Sequence, residues 1–107
     1  MDPTGLTKEI IANYERHGWT LRRVLLRPET RAALSEASFA GATILESDFD
    51  ALWFARGSHA EREAWEIRLL SESPYALFEA FELDEAEEDR EDARREMENR
   101  MREYAGR

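Results

Sequence analysis

A chain of 107 residues without cysteine has room for one modest core, and it excludes disulfide frameworks, thiolate metal sites and cysteine nucleophiles. Its 24 acidic side chains against 15 Lys and Arg give a net charge of -9, which repels phosphate backbones and anionic bilayers, so neither nucleic acid nor a membrane is an expected partner. With no signal-like leader in Met1-Asp2-Pro3-Thr4 and no run of eighteen apolar residues, a cytoplasmic protein held together by packing is expected.

Asp2-Pro3 offers a helix start, and Leu6, Ile10, Ile11 and Tyr14 share one helical face until Gly18, so a helix is expected from Pro3 to about His17. Trp19 to Arg27, bounded by Gly18 and Pro28, reads as a strand whose pattern is broken on both faces by arginines. Pro28 and Glu29 open a second short helix to about Ala37, with a loop over Phe39 to Gly41. Strand character resumes at Thr43, with a break at Ser47-Asp48.

Residues 49 to 70 form an expected antiparallel hairpin. A register symmetric about His59 sets Phe49 against Leu69, Ala51 against Ile67 and Trp53 against Trp65 on one side. The other side then carries Asp50 against Arg68, Leu52 against Glu66 and Phe54 against Ala64. Over Tyr75 to Leu83, alternation favours a third meander strand while the Ala, Leu and Glu content favours a helix; the strand is preferred. A charged helix follows over 84–107, with acids early, arginines late and i to i+4 pairs such as Glu91 with Arg95, Glu96 with Arg100 and Glu98 with Arg102. Its apolar stripe is thin: Ala86, Ala93, Met97, Met101 and Tyr104.

The expected fold is therefore α+β. A compact unit over 1–83 has an antiparallel-dominated sheet of three to four strands with the N-terminal helices on one face, and the C-terminal helix belongs to that domain or projects from it.

Asp50, Glu66 and Arg68 are the sharpest chemical grouping. Placed on one sheet face in the order helix, strand, strand with Asp, strand with Glu-x-basic, they resemble the core of the PD-(D/E)xK nuclease superfamily over residues 7 to 70. That resemblance implies a divalent metal held by Asp50 and Glu66. The chain departs from it in having arginine at 68 in place of lysine, no proline before Asp50, and a helix between the first two strands. A plain Asp50–Arg68 ion pair accounts for the same residues. His17 and His59 suit a helix end and a hairpin tip, the serines lie in no nucleophile motif, and the scattered glycines build no phosphate loop, so no cofactor is expected. Arg22, Arg23, Arg27 and Arg31 form the densest basic stretch and read as solvated charges rather than a phosphate site. Trp53 and Trp65 read as a core pair, while the burial of Trp19 is left open. The acidic run Glu82 to Asp92 reads as a solvated helix start.

The functional expectation is a non-catalytic interaction or accessory domain, with the metal-dependent nuclease-like hydrolase as the alternative. Its association element is the C-terminal helix through Met97, Met101 and Tyr104, giving a homodimer or a complex with another protein.

Overall fold

The computed structural model describes residues 3–34, 36–39 and 41–106. In chain order it contains α1 (Pro3–Arg16), β1 (Thr20–Leu26), α2 (Pro28–Ala33), a 3-10 turn (Glu36–Phe39), β2 (Thr43–Glu46), β3 (Ala51–Gly57), β4 (Glu63–Leu69), β5 (Ala76–Phe81) and α3 (Glu87–Ala105). The strands form one mixed sheet in the order β2-β1-β3-β4-β5. Only β1 and β2 run parallel, joined by the crossover through α2, and this pair extends the expected sheet to five strands.

The N-terminal helix ends where expected: Tyr14 O accepts from both His17 N (3.0 Å) and Trp19 N (3.1 Å), and Gly18 takes the left-handed conformation (φ 85°) that closes the turn. The Asp2 cap lies outside the described residues. Trp19 is buried and meets Tyr14 edge-on. The second helix is shorter than expected, because Leu34 adopts extended backbone and packs into the core instead of continuing the helix.

Both faces of the sheet are covered. One core joins Ile10 and Trp19 to Leu21, Val24, Leu52, Phe54 and Ala64. The other joins Met97 and Met101 of α3 to Trp53, Ala55, Trp65, Ile67 and Leu69. Alternate residues of β3 serve opposite cores, so all of Ala51 to Ala55 are buried and the strand reads as a continuous apolar run. The C-terminal helix therefore packs on the chain's own sheet, opposite α1.

The hairpin pairs Ala51 with Leu69, Trp53 with Ile67 and Ala55 with Trp65. This differs by two residues from a register centred on His59. An even shift leaves each side chain on its expected face but gives it a new neighbour. The tip explains the shift: Ala60 (φ 58°) and Glu61 (φ 60°) are left-handed, and Ser58 N donates to Arg62 O (2.8 Å), which centres the loop on Ala60. Trp53 and Trp65 become diagonal neighbours, edge to face at 5.9 Å. Within 75–83 the strand is Ala76–Phe81, with Leu77, Phe81 and the preceding Tyr75 on the α3 side; Leu83 lies beyond it and is exposed.

The broken pattern of β1 has a local cause. Leu21 pairs with Phe54 but Arg23 pairs with Trp53, so Arg22 is an extra residue in a β-bulge. The bulge inverts the alternation, so that Leu21 and Val24 both reach the α1-side core. It also lets Arg22 and Arg23 lie on the same side, each guanidinium 5.5 Å from the centre of the Trp65 ring.

Helix α3 begins later than Asp84, after Ala86, which gives no side-chain cap; Glu87, Glu88 and Asp89 occupy its first turn. The expected pairs of Glu91 with Arg95 and of Glu98 with Arg102 give way to other partners. Glu98 accepts from Trp53 Nε1 (2.8 Å), Arg102 binds Asp48 (2.8 Å), and Glu91 binds Arg23 (3.0 Å) and Arg94 (2.8 Å). Met97 and Met101, expected to face a partner, are buried in the chain's own core, and Tyr104 stacks on Tyr75 at 3.6 Å. The stripe looked too thin in sequence because Arg94 belongs to it, with only 2% of its surface exposed.

Candidate functional site

The structure separates Asp50 from Glu66 and from Arg68, while Glu66 and Arg68 stay neighbours two residues apart on β4. Arg68 lies across from Leu52, and Glu66 across from Phe54, four positions along β3 from Asp50. At about 3.4 Å per residue this puts the two acidic positions roughly 14 Å apart along the sheet, too far to share one metal ion. Each has its own partners. Asp50 Oδ1 accepts from Arg27 N (2.8 Å), while its Oδ2 accepts from Arg27 Nη2 (2.9 Å), Arg27 Nε (3.1 Å) and Thr30 Oγ1 (2.7 Å). The expected ion pair of Asp50 is thus made with Arg27, because the shifted register takes Arg68 away. Arg68 donates instead to the carbonyls of Leu69 and Ser71 at the turn into β5.

Glu66 accepts a hydrogen bond from Tyr14, whose ring stacks on Phe54 at 4.0 Å. Burial pushes the Tyr14 phenol well above its ordinary pKa, and the bond to Glu66 pushes it further. His17 Nδ1 lies 2.8 Å from Asn13 O at the end of α1, and His59 is exposed at the hairpin tip. Among the described residues, no three His, Cys, Asp or Glu side chains are grouped to hold a metal ion.

A different constellation forms where β1, β4 and α3 meet. Arg22 and Arg23 from the bulge, Arg90 and Arg94 from α3, and Glu63 and Trp65 from β4 line a polar hollow of about 430 Å³. Trp65 is its aromatic floor: besides the two bulge arginines, the Arg94 guanidinium lies 4.0 Å from the ring centre, close enough for a cation–π contact. Trp65 Nε1 donates to Glu63 (2.6 Å), and Arg90 lies 3.7 Å from the same carboxylate. Arg94 bridges Glu87 and Glu91, each at 2.8 Å.

Four guanidiniums thus meet the carboxylates of Glu63, Glu87 and Glu91, with Glu79 directly across from Trp65 on the same face, so cations gather here in a chain of charge -9. Among the described residues Arg22 has no salt-bridging carboxylate, whereas the unpartnered Nε atoms of Arg90 and Arg94 are enclosed and do not face the hollow's open space. No protein-family model, curated protein or solved structure matches the chain. No helix among the described residues is long and apolar enough to cross a membrane.

The Arg22-Arg23 doublet was visible in sequence, and its interruption of both strand faces was the one signal of a bulge. Its convergence with Arg90 and Arg94 across 67 or more positions carried no sequence signal. The carboxylates that tie these arginines down impose an acid limit on stability. Burial pushes the Glu91 carboxyl up, but hydrogen bonds from Arg94 and Arg23 outweigh it and hold the group below its ordinary value. Glu87 is lowered mainly by its hydrogen bond from Arg94, and Asp48 by its hydrogen bond from Arg102; both are near the surface and contribute little. Groups lowered by folding stabilise the protein above their unfolded pKa, about 4.3 for glutamate, and that contribution is lost as pH falls through the folded value. The urea midpoint is therefore expected to drop between pH 6 and pH 3, and Glu91→Gln is expected to reduce the drop; an equal drop in wild type and variant would show that Glu91 is not the coupled group.

Proposed function

We propose that the protein is a non-catalytic binding domain that docks on a partner protein by receiving one anionic group, such as a carboxy terminus or a phosphorylated side chain, in the arginine pocket. The observation that carries this reading is the convergence of Arg22, Arg23, Arg90 and Arg94 on one hollow beside Trp65, with no salt-bridging carboxylate on Arg22 among the described residues. Guanidiniums suit such a group because their planar array of donors matches carboxylate and phosphate oxygens. Binding rather than group transfer is supported by the carboxylates of the pocket: Glu63 and Glu87 are both engaged by arginines, and Glu87 is held below its ordinary pKa, which makes it a poor base.

The global charge selects the kind of anion. A polyanion meets the repulsion of the whole surface, whereas a single group entering the pocket lies within about 8 Å of the arginines, inside the screening length, and responds to them first. Calorimetric titration is expected to show saturable binding of inorganic phosphate, weaker binding of acetate and none of heparin. Arg22→Glu, at an exposed position, is expected to weaken phosphate binding by about tenfold or more, because it removes a charge-assisted hydrogen bond and adds a repelling charge, while circular dichroism checks that the variant is folded. Absence of saturable binding, or equal affinity in the variant, would overturn the reading.

A further inference from the structure

The arginine hollow reaches the rim of the sheet. Gly41 and Thr43 are in its wall, at the start of the edge strand β2. Further along the same strand, Leu25, Leu45 and Asp48 line a second hollow of about 690 Å³. Arg90 and Arg94 of α3 face the first hollow and Glu98 and Arg102 the second, so the two lie in line along one helix and one strand. Their charges are opposite. The second brings the carboxylates of Glu46, Asp48 and Glu98 against the single guanidinium of Arg102. Between the two ends stands Leu45, 41% exposed beside its strand neighbour Leu25.

The backbone of this edge is open as well. Ser47 N donates to Leu26 O (2.9 Å), which turns the backbone groups of Thr43 and Leu45 toward β1 and those of Ile44 and Glu46 outward. Among the described residues neither Ile44 nor Glu46 has a backbone partner on that side. A strand added here places alternate side chains beside Thr43, beside Leu45 and beside the acidic hollow, at the period of two that all strands share.

We infer that the partner segment is an extended phosphopeptide that adds to β2 as an antiparallel strand and reads basic-x-apolar-x-phosphoserine from its N-terminus. The inference rests on the anion pocket proposed above. Phosphoserine, with about two negative charges and three acceptor oxygens, meets Arg22 and Arg23 at the Thr43 end. The apolar side chain covers Leu45, and the basic one lies by Asp48 and Glu98.

The probe is a short end-blocked peptide with lysine, valine and phosphoserine at alternate positions and threonine between them, titrated into the full chain by calorimetry and heteronuclear NMR. It is expected to bind at least about tenfold more tightly than inorganic phosphate and to shift the amides of Thr43–Glu46. The intervening threonines are the residues whose N–H groups face β2. Methylating those nitrogens is therefore expected to cost about tenfold or more, whereas methylating the valine nitrogen, which faces solvent, leaves affinity unchanged. The unphosphorylated peptide is expected to bind at least about tenfold more weakly than the phosphorylated one. If phosphate binds but the peptide binds no more tightly, or the threonine-methylated peptide matches the parent, strand addition is overturned while the anion pocket stands. If neither phosphate nor peptide binds, both readings fall.

Discussion

Truncating Trp53 to alanine is expected to remove about 3–5 kcal/mol of folding stability, the range for deleting a large aromatic side chain from a packed core. Trp53 is fully buried at the centre of the sheet, faces α3 and meets Trp65 edge-on. Its indole also anchors the helix, because Nε1 donates to Glu98 and the alanine variant loses that link together with the packing. A domain of this size has about 5–15 kcal/mol in total, so the variant is expected to be largely unfolded near physiological temperature or to show a much lower urea midpoint. A loss under about 1 kcal/mol would mean that this position is not the centre of the α3-side core.

Arg94 separates packing from charge. Arg94→Ala is expected to cost about 2–5 kcal/mol, as for other long buried side chains, since it vacates the space over Trp65 and Phe81 and removes a desolvated cation–π contact. Arg94→Met is expected to stay within about 1 kcal/mol of wild type. The thioether refills the same volume, Glu87 is largely solvated already, and Glu91 keeps Arg23. The methionine variant should nevertheless lose affinity for phosphate, because a donor of the pocket is gone. Parallel urea titrations and phosphate calorimetry check both halves. If Arg94→Met were as unstable as Arg94→Ala, the ion pairs rather than the packing would hold α3 in place; if it bound phosphate normally, the pocket would not be the anion site.

Much of the fold was legible along the chain because its signals are local. The apolar face of α1, the strand over Ala76–Phe81 and the alternating faces of the 49–70 hairpin follow from side-chain periodicity, which depends only on neighbouring residues. The stripe through Met97, Met101 and Tyr104 was legible in the same way. What it covers was not, since an apolar stripe specifies burial without naming the surface that provides it.

The candidate site was hidden for the same physical reason. The left-handed pair Ala60 and Glu61 moved the hairpin register by two residues, which took Arg68 from Asp50 and gave Asp50 to Arg27. The extra residue at Arg22 turned two strand arginines to one side, and the docking of α3 brought Arg94 over Trp65 and Arg90 beside Glu63 from the far end of the chain. The sequence by itself determined which segments are helix or strand and which of their faces are apolar. Only the tertiary structure decided which faces meet, because loop conformation and register act between residues distant in sequence, and the charged side chains take their partners from that arrangement.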